Sequence, residues 1–118
     1  MVEFAVVGGL FTILLLGIFE FGTSAWSKNN VAADAREGAR YAIVHGSRSG
    51  SVADSAAVAN AVKSKSSLGN SIRVYTWWPE GKTPGSIVTV SVAYTVPRRG
   101  PFVPAHRDSA TSKMTIAF

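Results

Sequence analysis

The chain has 118 residues, no cysteine and a formal net charge of +5. The missing cysteines exclude a disulfide framework and a thiolate metal site, and the length leaves room for one small domain. A basic balance is compatible with nucleic acid or anionic lipid as partner, but no run of Lys and Arg exceeds two residues, which favours plain solubility.

The first 27 residues organise the rest. Phe4 through Phe19 carry no charge; Glu3 precedes the run, Glu20 interrupts it, and Phe21 to Trp26 continue its apolar character. A bilayer core takes about 20 apolar residues as helix, a length reached here only by including Glu20. Such a segment belongs in lipid or in a bundle of its own copies. It does not read as a secretory signal peptide, because a basic n-region and a small-residue cleavage site are lacking and the helical pattern runs on. Lys28, Arg36 and Arg40 lie on the far flank. By the positive-inside rule they would hold the domain in the cytoplasm, unless a basic leader once preceded the N-terminus, and that second arrangement is the one expected here.

Residues 28–45 continue the helix. Val31, Ala35, Gly38, Ala39 and Ala42 share one face at the 3.6-residue period, with Arg36, Glu37 and Arg40 opposite. The small side chains allow a close-packed neighbour, and Gly38, which costs about 1 kcal/mol relative to Ala, is expected where that approach is closest. The helix is expected to stop near His45-Gly46 with Gly at C′. A helix of about 45 residues spans roughly 65–70 Å.

Ser47–Gly50 reads as a turn and Ser51–Asp54 as a variant capping box. A second helix of about 12 residues should follow, ending around Lys63–Ser66 with Lys63 and Lys65 suited to its C-terminus. Ala53, Ala57, Val58, Ala61 and Val62 form its expected buried side. After Asn70 the period changes to two. Ile72, Val74, Thr76 and Trp78 alternate with Arg73, Tyr75 and Trp77. Pro79–Gly85 is a loop. Val88, Val90, Val92, Tyr94 and Val96 form one face of the clearest strand. Pro97–Asp108 is expected as a semi-rigid loop. Its residues Arg98, Arg99, Phe102, Val103 and Arg107 are candidates for a partner contact. In the last strand Ala110, Ser112, Met114, Ile116 and Phe118 point inward. An α+β fold is expected: a long helix packed on an antiparallel sheet of at least three strands, with a second short helix.

No catalytic constellation is present in the sequence. His45 and His106 lie apart without metal-ligand spacing, and no Ser sits in a GxSxG setting. Gly8-Gly9 lies within an apolar helix and cannot cradle a phosphate there. The chain is read as a non-enzyme with no cofactor and no metal. Tyr75, Trp77 and Trp78 offer stacking faces to single-stranded nucleic acid, against the plainer reading of sheet core plus an edge aromatic.

Two segments resemble the TadE-like family of pilin-related proteins from tight-adherence pilus systems. VEFAVVGGLFTILLLGIFEFG is similar to that family's Val-Glu-Phe start, apolar run and Glu-Phe-Gly close. NNVAADAREGARYAIVHG is similar to its Ala-Arg-Glu-Gly-Ala-Arg helix segment. Together they cover about the first 46 residues. The resemblance implies a pilin-like fold, cleavage by a prepilin peptidase, an N-terminal helix in the inner membrane and a head outside the cytoplasm. The chain departs from pilins in one respect: the membrane Glu, typically the fifth mature residue there, stands here at position 3.

The resulting expectation is a structural subunit, pilin or pseudopilin, with residues 1–27 as membrane or filament-core helix and 28–118 as head. It assembles with copies of itself or other pilin-like subunits into a pilus or pilus-associated complex at the cell surface, as a major or a minor subunit. Glu3, Phe4, Gly8, Gly9 and Glu20 are the candidate assembly residues. Glu3 and Glu20 each need a partner, since a carboxylate costs about 2.5–3.5 kcal/mol at a bilayer centre. The alternative is a tethered module that captures DNA or an acidic surface through the basic balance, Arg98-Arg99 with Arg107, and the Trp pair.

Overall fold

The computed structural model describes residues 1–118. Helix α1 runs unbroken over Val2–Val44 and helix α2 over Ser55–Lys65, followed by a single 3-10 turn at Gly69–Ser71. Strands β1 (Ile72–Trp77), β2 (Ile87–Val96) and β3 (His106–Thr115) form one antiparallel sheet in the order β1-β2-β3. The molecule measures 73 × 21 × 17 Å, because α1 projects far beyond the head that its C-terminal half helps to build.

The C-terminal half of α1 and the short α2 cover one face of the sheet. Val31, Ala35, Gly38, Ala39 and Ala42 of α1 are all buried. They pack with Val58 and Val62 of α2 and with Ile72, Val88, Val90, Val92 and Ile116 in one core. Gly38 marks the tightest crossing. A Cβ there would stand 2.9 Å from both Val62 Cγ2 and Val90 Cγ1, so α2 and β2 close on bare backbone.

Local chemistry sets the boundaries, and several differ from the sequence expectation. Asp54 is itself the N-cap of α2, its carboxylate accepting from Ala57 N–H at 2.6 Å; the capping box expected over Ser51–Asp54 does not form. Helix α1 ends at Val44, but Gly46 does not adopt the left-handed conformation expected of a C′ glycine. Its role is steric, since a Cβ would collide with the carbonyl oxygen of Phe118, which folds back over it. Phe118 itself is exposed rather than inward, because β3 ends at Thr115 and the chain leaves the sheet.

The largest difference concerns β3. It starts at His106, so the expected loop Pro97–Asp108 shortens to 97–105. Strand β2 is long enough to pair all the way to Val96, opposite His106. Asp108 therefore continues the inward row of β3 and is buried despite its charge. Arg107 consequently lies in a strand on the outer face, opposite Thr95.

Candidate functional site: the junction of the apolar helix and the head

Helix α1 has two halves of opposite character. No residue from Met1 to Phe19 is buried, and the exposed side chains include Phe4, Leu10, Phe11, Ile13, Leu14 and Phe19. This is the one helix long and apolar enough to cross a membrane. Candidate assembly residues Glu3, Phe4, Gly8 and Gly9 all lie on this projecting half, and a Cβ added at Gly8 or Gly9 would meet open space.

The change comes at Glu20, only 6% exposed. Its position follows from helical register. Glu20, Ser24, Ser27 and Val31 succeed one another at steps of four, three and four, in phase with the buried stripe Ala35, Gly38 and Ala42. The packing face of the helix thus extends into the apolar segment but turns polar there. The head grips α1 about two turns before residue 28.

Each polar side chain on this extension meets a group from the loop between β2 and β3 or from the first residues of β3. Oε2 of Glu20 accepts hydrogen bonds from the backbone N–H of Phe102 at 3.1 Å and of Val103 at 2.7 Å. Hydrogen bonds to an ionised acceptor are among the stronger ones. Ser27 Oγ donates to Oδ2 of Asp108 at 2.9 Å. His106 Nε2 lies 3.5 Å from Oδ1 of that Asp108 and 3.4 Å from Ser24 Oγ. A seam of five polar side chains, Glu20, Ser24, Ser27, His106 and Asp108, therefore joins the helix to the head. Beside it is a cavity of about 10 Å³, lined by residues that include Glu20, Thr23, Val96 and Val103, room for a single water. Oε1 of Glu20 is buried without a protein partner. Gly100 lies against this carboxylate, which a Cβ at that position would displace.

The candidate partner-contact residues separate into three kinds. Arg98, Arg99 and Phe102 are exposed on the loop. Val103 is half-buried at the cavity. Arg107 belongs to the outer sheet face. Asp108, Ser24, Ser27 and His106 as a packed seam escaped the sequence reading; the helical register of Glu20, Ser24, Ser27 and Val31 was the signal that could have found them.

The TadE-like protein family model matches residues 1–40. No curated protein and no solved structure matches the chain. The matched stretch takes in the projecting apolar half, Glu20 and the start of the small-residue stripe, the parts of α1 that the geometry singles out. Over residues 1–40, about a third of its length, the chain is similar to the TadE-like protein family, a likeness that points to tight-adherence pilus systems.

Proposed function

We propose that the protein is a structural, non-catalytic subunit of a tight-adherence pilus, or of a complex associated with one, held in the inner membrane by α1 before assembly and displayed at the cell surface after it. One observation carries this reading: α1 is buried against its own head only from Glu20 onward, while the uncharged stretch Phe4–Phe19 before it is not buried at any position. An uncovered apolar helix of that length requires lipid or other helices around it. Copies of the chain, or other pilin-like subunits, supply the helices once the protein leaves the bilayer. Processing by a prepilin peptidase belongs to the same proposal and rests on the family resemblance.

The chain has no native cysteine, so single cysteines are clean probes. With Leu14→Cys, oxidative cross-linking in membranes of the producing cell should give dimers of this chain or mixed dimers with another pilus subunit. Electron microscopy and mass spectrometry of sheared filaments then show whether the chain is incorporated. Monomer alone in both experiments would leave a single-span anchor and remove the assembly role.

A further inference from the structure

The face of the sheet turned away from α1 has no role in the packing described above. Its rows follow from the strand register. Arg73 stands beside Ala93 and Ser109, Tyr75 beside Ser91 and Thr111, and Trp77 beside Thr89 and Lys113. Arg107 extends the face at one end, opposite Thr95.

Three properties distinguish this face. First, two large rings lie open on it: Trp77 is 68% exposed and Tyr75 53%. Being two residues apart on one strand, they rise from the same side roughly 7 Å from each other. Trp78 points the opposite way, half-buried beneath Lys82 Nζ at 4.4 Å from the ring. Second, the face carries Arg73, Arg107 and Lys113 and no carboxylate at all, and none of the three cations is ion-paired. Most acids of the head are engaged elsewhere: Glu20 and Asp108 are buried in the seam, Glu37 pairs with Lys65, Asp34 accepts from Ser66, and Asp54 caps α2, while Glu80 stands exposed on the loop after β1, off the strand rows of this face. Third, an open groove of about 430 Å³ runs beside β1, lined by Lys63, Asn70, Arg73 and Tyr75. Cations therefore flank the stacking surfaces on both sides.

We infer that this outer face binds single-stranded DNA, with bases stacked on Tyr75 and Trp77 and phosphates drawn to Lys63, Arg73 and Lys113. Exposed rings on a basic platform suit bases, whose flat faces stack with little regard to sequence, and a cationic groove suits the backbone. A polyanion without bases would use the cations and leave the rings idle. A duplex hides its base faces in its own stack.

The test uses the full chain in a non-ionic detergent, so its outcome does not depend on filament assembly. Fluorescence anisotropy follows a labelled oligothymidine, with a duplex of equal length and inorganic polyphosphate as competitors. The single strand is expected to bind at low salt and to resist both competitors. Trp77→Ala should weaken binding roughly ten-fold, within the range of about 5- to 150-fold that the loss of one stacked base implies. Because Trp77 is exposed, its thermal unfolding should stay at the wild-type value. Arg73→Ala should also flatten the dependence of log K on log salt by about 0.7. No binding at low salt, equal affinity for the duplex, or displacement by polyphosphate with Trp77→Ala unchanged would each overturn the inference.

Discussion

The carboxylate of Glu20, on the helix that projects from the head, accepts the backbone N–H of Val103 at 2.7 Å across 83 residues of chain. With Phe102 N–H bound to the same oxygen, one side chain at the mouth of the apolar segment fixes the loop between β2 and β3. The link makes the loop's position dependent on the attitude of α1. Pro101 and Pro104 flank the two donors and have no N–H of their own, so the loop offers its donors where Glu20 needs them.

Glu20→Ala is expected to remove two part-buried hydrogen bonds to a charged acceptor, a loss of about 1–3 kcal/mol. Glu20→Gln keeps an acceptor without its charge and should fall between Ala and wild type. Gly100→Ala should act on the same contact by pushing the carboxylate aside, so Glu20→Ala combined with Gly100→Ala should cost less than the sum of the two. Thermal unfolding in detergent, with hydrogen exchange read at residues 102 and 103, gives the answer. Independent, additive losses would show that the two positions do not share one contact.

Truncation probes the same seam. A fragment of residues 20–118 keeps Glu20, Ser24 and Ser27, whereas 28–118 loses all three and leaves buried Asp108 without its Ser27 donor. The shorter fragment should be soluble but weaker, by about 1 kcal/mol for the lost hydrogen bond between Ser27 and Asp108 alone. Equal melting temperatures would mean that the seam contributes nothing to the head.

Gly38→Leu should destabilise the head by about 1–3 kcal/mol, the usual effect of overpacking, because Val62 and Val90 already occupy the space a side chain needs. Arg36→Leu, on the exposed side of α1, should change unfolding far less. Similar shifts for both would contradict the close crossing at Gly38.

The helix face from Val31 to Ala42 was legible because small and apolar residues repeat at helical period against charged ones. The same period passes through Ser27, Ser24 and Glu20, but there the partners are polar and the surroundings apolar, so hydropathy assigns Glu20 to the membrane run and hides its register. Asp108 misleads in the same way. A carboxylate on the inward row of a strand reads as loop until a Ser27 hydroxyl and a His106 ring are seen beside it. The alternation of Arg73, Tyr75 and Trp77 against Ile72, Val74 and Thr76 was legible, yet the strand register is needed to bring Lys113 and Arg107 to the same face. The end of the chain misleads because Phe118 looks like a fifth inward step, whereas its carbonyl packs over Gly46.

Stability should show a modest acid limb from the surface pair of Glu37 and Lys65. The hydrogen bond from the Lys65 ammonium holds the Glu37 carboxyl below its ordinary value; partial desolvation opposes it, and the charges of Lys65 and Arg40 add to the lowering. A folded-state pKa below the unfolded one gives stability that is present above the unfolded value and is lost as pH falls through the folded one. The pair is largely exposed, 65% and 36% for the two side chains, so screening keeps its worth under about 1 kcal/mol. Lys65→Met should lower stability near neutral pH by that amount, leave stability below the folded-state pKa of Glu37 unchanged, and so flatten that part of the acid limb. A full-sized limb in Lys65→Met would assign the acid sensitivity to another carboxylate.

Glu3 is the one carboxylate on the projecting half of α1 with no contact to the head. It sits in the first turn of α1, where the unpaired N–H groups of the helix favour an anion. That tolerance explains how a single chain can carry the charge at the edge of an apolar run; in a packed bundle of helices the same carboxylate loses water and needs a cation from a neighbour. Two opposite charges removed from water together lose less than either alone, and removing one leaves the other unpaired. Glu3→Gln keeps the size and removes the charge. Membrane insertion and unfolding of the head should remain as in wild type, because no head residue touches position 3, while the yield of assembled protein in sheared material should fall. Wild-type yields of assembled Glu3→Gln would eliminate charge pairing at the helix start and leave apolar packing of residues 4–19 as the driving contact.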